Sequence, residues 1–132
     1  MDDHRRTIAL AFVEALAASR AADVLALATP DATWWIPGET PVSGYYSLQE
    51  LFALASRMFG GAATSSGFTV GAVIADRERA AVECRSTVRF ADGRLYDNAA
   101  VLVMTFRGEK VAQVREYGDT ELLTRLFPNG VA

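Results

Sequence analysis

The sequence is poor in the residues that announce the commonest chemistries. Its 132 residues hold one cysteine, Cys84, and one histidine, His4. A lone cysteine excludes an intrachain disulfide. One histidine and one cysteine do not make the nitrogen- or sulfur-rich set of a zinc site, so no metal and no cofactor is expected. His4 sits in a charged N-terminal stretch and carries no catalytic expectation, and a small buried thiol is the reading for Cys84. The chain has no excess of basic charge: Lys and Arg number 13 against 16 Asp and Glu, a formal net charge of −3. With no Lys/Arg cluster, this argues against nucleic acid or an anionic membrane as partner. No apolar run reaches the roughly 18 residues of a membrane span. The opening MDDHRRTIAL lacks the apolar core of an export signal, so a cytoplasmic protein is expected. Gly60-Gly61 reads as a helix stop, since no G-x-x-x-x-G-K-[ST] follows it. There is no internal repeat, low-complexity tract or linker. One domain over 1–132 is the expectation at this length.

What is present is apolar periodicity. Half the residues are hydrophobic and 22% are charged, a globular balance. Ile8, Phe12, Val13 and Leu16 have helical spacing within 3–18. After a break at Ser19-Arg20, a shorter helix over 21–28 carries Val24, Leu25 and Leu27 and stops before Pro30. Ala32-Thr33-Trp34-Trp35-Ile36 is a first strand, with its two tryptophans on opposite faces. A loop follows over 38–46. Ser47 and Glu50 form a capping box for a third helix bearing Leu48, Leu51, Phe52, Leu54, Ala55, Met58 and Phe59. A small-residue connector over 62–67 leads to a strand from Phe68 to Ala75, a turn at Asp76-Arg77-Glu78 and a strand over 79–90. The turn at Asp92-Gly93 is a hairpin signal. Tyr96–Tyr117 then reads as two long strands joined at Gly108-Glu109, and Asp119 caps a last helix holding Leu122, Leu123, Leu126 and Phe127. Helices first and strands after make the class α+β.

Acids inside so apolar a strand pair need a reason. A turn centred on Asp92-Gly93 sets Arg85 opposite Ala100, Glu83 opposite Leu102 and Thr87 opposite Asn98. A three-residue turn at Arg107-Gly108-Glu109 sets Ala100 opposite Glu116 and Leu102 opposite Val114; a four-residue turn would reverse the face of the last strand. In the first register one face carries Glu83, Arg85, Thr87, Asn98, Ala100, Leu102, Met104, Val114 and Glu116. That mixture suits a ligand cavity, apolar with a few placed polar groups. Arg85 could then cross Ala100 to meet Glu116. The competing readings are a solvated face with Glu83 and Arg85 as surface charges, and an architectural ion pair. The opposite strand faces would hold Cys84, Ser86, Val101, Val103, Gln113 and Arg115, a small apolar patch expected to be covered in a two-fold homodimer.

Three runs, PDATWWIPG at 30–38, GRLYDN at 93–98 and GEKVAQVREYGDT at 108–120, resemble the SnoaL-like and ketosteroid-isomerase-like families of the nuclear transport factor 2 superfamily. The resemblance spans nearly the whole chain. It implies a cone-shaped α+β fold, with three N-terminal helices on a strongly curved, mostly antiparallel sheet and a short C-terminal helix. The sheet's outer face often makes the homodimer. Steroid isomerases of this group carry their base where Ile36 stands and a protonated acid near Leu102, so that chemistry is not implied. Limonene-type epoxide hydrolases carry an acid at the position of Glu116 and an Arg-x-Asp pair where this chain has Glu83-Cys84-Arg85, in reversed order. Their water-holding tyrosine and asparagine correspond to Trp34 and Ile36. SnoaL-type polyketide cyclases use a single cavity acid/base, a part Glu116 could play.

Three functions fit these residues. The first is a cofactor-independent isomerase, cyclase or hydratase/epoxide hydrolase acting on a small, mostly apolar molecule. Glu116 would be general acid/base, with Arg85 and Glu83 beside it. Trp34, Ile36, Phe52, Met58, Thr87, Asn98, Ala100, Leu102 and Val114 would shape the pocket. The second is a non-catalytic binder of a small hydrophobic ligand in the same pocket. The third is a dimeric scaffold with a filled interior.

Overall fold

The computed structural model describes residues 3–61 and 63–131. Ala62, at the head of the expected connector, and Met1 and Asp2, in the opening stretch read for an export signal, lie outside them. Helix α1 (Asp3–Ala17) turns Ile8, Ala9, Phe12 and Val13 inward at the spacing the sequence shows. Ser19, with φ of 57°, breaks the chain before α2 (Ala21–Ala26). Strand β1 spans Ala28–Ile36 and so begins earlier than expected, with Pro30 inside it. Pro30 falls in the gap between Ala28 and Thr33 where pairing to the neighbouring strand is interrupted, so its missing N–H breaks no ladder bond.

The expected loop over 38–46 closes with a short edge strand, β2 (Gly44–Ser47), antiparallel to Thr33–Ile36. Ser47 then caps α3 (Leu48–Ala55) through both bonds of the capping box: Glu50 N to Ser47 Oγ at 3.1 Å and Ser47 N to Glu50 Oε1 at 2.8 Å. The helix does not stop there but widens into a π-helical segment, Ser56–Gly60. The small-residue stretch that follows is no connector. Strand β3 runs Ala63–Ala75, held along most of its length by β4 (Arg79–Phe90). Strands β5 (Leu95–Arg107) and β6 (Lys110–Tyr117) come next. Asp119 caps α4 (Thr120–Leu126) by accepting from Leu122 N at 3.1 Å.

The six strands form one mixed sheet in the order β2-β1-β6-β5-β4-β3, with β1 parallel to β6 and all other pairs antiparallel. The strongly curved, cone-shaped sheet expected from the resemblance is corrected here. The sheet is open: its edge strands β2 and β3 each pair on one side only, so no ladder draws the two ends together. Helix α1 packs on β3, β4 and β6, α3 on β1 and β2, and α4 on β5. Between helices and sheet lie Phe12, Val13, Val24, Val82, Met104, Val111 and Val114, all essentially inaccessible. Full burial of such a side chain contributes about 1.5–3 kcal/mol relative to exposure.

Two connections decide which side chains face the helices. The β4–β5 loop has three residues, Ala91-Asp92-Gly93. Phe90 N donates to Arg94 O at 2.9 Å and Gly93 takes φ +92°, the left-handed position of a bulged hairpin. Cys84 therefore stands opposite Ala100, and Arg85 opposite Ala99. The β5–β6 turn has two residues, Gly108 and Glu109, with φ +61° at Gly108, and pairs Arg107 with Lys110. Continued unchanged, that register would bring Arg115 to the inner face. A bulge at Ala112, between the pairs Phe106–Val111 and Thr105–Gln113, adds one residue and sets Glu116 opposite Leu102.

Candidate functional site

The inner face of the sheet does not meet the helices everywhere. Between α1, α3, the π-helical segment and strands β3–β6 lies a cavity of about 800 Å³. Its walls are mainly apolar, with Leu16, Phe52, Met58, Phe59, Phe68 and Leu102 prominent. The alternation of β4 explains where the space comes from. Its inward residues are large at the ends, Val82, Val88 and Phe90, but small in the middle, Cys84 and Ser86, with small Ala100 opposite Cys84.

Glu116 projects into this cavity from β6. Its Oε1 accepts from the indole Nε1 of buried Trp34 at 2.9 Å. Burial raises its pKa above the ordinary carboxyl value of 4.5, and the Trp34 N–H opposes that rise only in part. Among the described residues no guanidinium or ammonium pairs with the carboxylate. Burial, with the charge of Glu116 added, pushes the Cys84 thiol up to about 11, which keeps it protonated at neutral pH and unsuited to nucleophilic work.

A second polar group lines the same cavity. Buried Asn98 donates from Nδ2 to the Tyr96 hydroxyl at 3.0 Å, and its Oδ1 accepts from the backbone N–H of Asp119 at 2.9 Å. Gly118 makes that second bond possible. A Cβ there would stand 2.9 Å from Asn98 Oδ1 and 3.3 Å from the Ala100 Cβ. The Tyr96 phenol is raised above its usual value of 10.0, first by burial and then by Glu116.

The structure separates the residues that the sequence grouped. Trp34, Ile36, Phe52, Met58, Asn98, Ala100, Leu102 and Glu116 line the cavity. Val114 is inward but fully packed behind it. Arg85, Glu83 and Thr87 are corrected to the opposite face of the sheet, because the three-residue Ala91-Asp92-Gly93 loop shifts β4 by one residue. Arg85 forms a two-point salt bridge there, Nε to Asp97 Oδ1 and Nη2 to Asp97 Oδ2, both at 2.7 Å, and not with Glu116. The same shift brings Cys84 and Ser86, expected outside, into the cavity wall. Tyr96 was not singled out by sequence reasoning. The signal was available: it shares strand parity with Asn98 in the run Leu95-Tyr96-Asp97-Asn98. The outward tryptophan, Trp35, stacks on Tyr45 at 6.0 Å and meets Tyr117 edge-on at 5.7 Å.

The SnoaL-like domain family matches residues 9–114. The chain belongs to that family. Solved structures show the same fold. A nuclear transport factor 2-like protein from Burkholderia xenovorans is 28% identical, with a TM-score of 0.72, covering 94% of this chain and 95% of that one. One of unknown function from Burkholderia pseudomallei is 20% identical, with a TM-score of 0.77 and coverage of 93% and 96%. AclR, a putative hydroxylase from Streptomyces galilaeus, is 18% identical, with a TM-score of 0.72 and coverage of 96% and 86%. A search of curated protein sequences finds no match. No helix among the described residues of this SnoaL-like chain is long and apolar enough to cross a membrane. No group of three or more His, Cys, Asp or Glu among them is placed to hold a metal ion.

Proposed function

We propose that this SnoaL-like protein is a proton-transfer enzyme of the isomerase or cyclase type, acting on a small, mostly apolar molecule with Glu116 as its general acid/base. The observation that carries this reading is a carboxyl in the wall of a mainly apolar cavity whose one hydrogen bond among the described residues comes from an indole N–H. Such a group holds its proton to higher pH than a solvated carboxyl. It can take a proton from a carbon beside a carbonyl and return it elsewhere on the same molecule. The epoxide-hydrolase variant is the less favoured, because Arg85 and Glu83 lie across the sheet from Glu116. The apolar walls serve equally a binder without turnover, and the same experiment separates the two.

The test is proton exchange at carbon. With 2-tetralone in D2O, followed by NMR, the wild-type protein should speed loss of the α-proton signal, and Glu116→Gln should return it to the buffer rate while still binding the ketone. Equal rates for the two proteins would leave only the binding reading.

The outer sheet face supports a further part of the proposal, a two-fold homodimer. Beside the charged Glu83, Arg85 and Asp97, it exposes Tyr45, Tyr117 and Ile74 around half-buried Trp35, Val101 and Val103, apolar side chains that a second copy would cover. Sedimentation should give a dimer for wild type.

A further inference from the structure

We propose that Tyr96 is a ligand-anchoring hydrogen-bond donor, and that the cavity therefore takes apolar molecules carrying an oxygen acceptor, a ketone foremost, rather than plain hydrocarbons. The inference deepens the proton-transfer reading by naming a substrate class for the same cavity, and it rests on that reading only for the word substrate.

The argument is one of proton accounting. A backbone N–H can only donate, so the bond from Asp119 N settles which end of the Asn98 amide is oxygen. The other end, Nδ2, is then a donor, and the Tyr96 oxygen must accept from it. A phenol has one proton to give, and this contact does not use it. Among the described residues no acceptor receives that proton, although Tyr96 is only 5% exposed. Tyr96 lines the cavity, so the open direction for its O–H is the cavity itself. A buried donor without a partner is costly, and a ligand oxygen would recover that cost.

The surroundings favour a neutral donor. Burial, and after it the nearby Glu116, oppose ionisation of the phenol, so it keeps its proton across the physiological range. Asn98 is the positioning residue. It is tied to the start of α4 through Asp119 and holds the Tyr96 oxygen from one side. Ser86, opposite Asn98 on β4, also lines the cavity, with Phe68 beside it on β3 and Phe59 against the Tyr96 ring, so the polar groups are set among apolar walls. A ligand that places a carbonyl at Tyr96 and its ring system against the neighbouring phenylalanines satisfies both kinds of wall. Its α-carbons then share the cavity with Glu116.

The test uses two probes of nearly one shape, 2-tetralone and tetralin, titrated by calorimetry into wild type, Tyr96→Phe and Glu116→Gln. The ketone should bind wild type about tenfold more tightly than the hydrocarbon, and its carbonyl infrared band should move to lower frequency on binding. In Tyr96→Phe the preference and the band shift should both vanish, with tetralin affinity and unfolding midpoint held within twofold and a few degrees. In Glu116→Gln the preference should persist even where proton exchange is lost. Failure of the ketone to bind wild type, an equal affinity for the two probes, or a preference lost with Glu116 but kept in Tyr96→Phe would each overturn the inference. The proton-transfer reading is judged separately, by exchange rate. Should Tyr96→Phe unfold, Asn98→Leu gives the second arm: it frees the phenol from its tether, and the band shift should then broaden and shrink.

Discussion

Trp34 on β1 donates its indole N–H to Glu116 on β6, at 2.9 Å, across the one parallel strand pair of the sheet. The bond opposes the effect of burial on the carboxyl. Trp34→Phe keeps the ring volume nearly intact and removes the donor. The carboxyl should then titrate at higher pH, because the charged form loses its partner. In a pH–rate profile of proton exchange the rising limb should move toward alkaline pH, with binding of 2-tetralone little changed. An unmoved limb would show that the indole does not tune the acid.

The raised pKa of Glu116 also enters folding. Below 4.5 the group is protonated in folded and unfolded chains alike and contributes no pH dependence. Above that value the unfolded chain loses its proton first, so the folded protein holds more protons and its stability falls as pH rises toward the folded pKa. Glu116→Gln removes this loss. Urea unfolding should therefore show the variant gaining on wild type as pH rises above 4.5. A constant difference over that rise would speak against a raised carboxyl.

Arg85 makes its pair with Asp97 on the solvent side, with the two side chains 60% and 33% exposed. A pair so open to water is worth about 0.2–1 kcal/mol. Arg85→Ala should cost no more than that in chemical denaturation and should leave ketone binding and exchange unchanged. A loss of several kcal/mol would mean that the guanidinium is buried, as an inward-facing Arg85 would require.

Gly118 lies against Asn98 and Ala100. The Cβ of Gly118→Ala would press on an amide oxygen already held by the next residue's N–H, so the strand end or the amide must shift. A cost of about 1–3 kcal/mol follows from such overpacking. It should appear as a lower unfolding midpoint together with a weakened ketone preference, since Asn98 positions Tyr96. Loss of stability with the preference intact would break that link.

Local chemistry made much of this protein readable in advance. The capping box of Ser47 and Glu50, the Asp119 cap, the inward stripe of α1 and the long strands over 79–117 all follow from contacts within a few residues along the chain. Those signals also sufficed to place Asn98, Ala100 and Leu102 on one inner face; Glu116 joins them only through the bulge at Ala112, opposite Leu102 and not Ala100 as expected. The edge strand β2 was not readable, because its two tyrosines sit between Gly44 and Ser47 in a run too short to signal a strand until Thr33–Ile36 lies alongside.

What the tertiary structure alone decided is parity. Two strands present opposite faces when a connection changes by one residue, and no residue within the strand records which connection forms. Charge was the better guide on β4, where Glu83 and Arg85 stay in water as solvation demands and small Cys84 and Ser86 turn inward. On β6 the sequence determined the acid but not its direction: the two-residue turn at Gly108-Glu109 points Arg115 inward, and the bulge at Ala112 reverses this. That bulge lets Val111 and Val114, three residues apart, both reach the core, a gain visible only once the helices are in place.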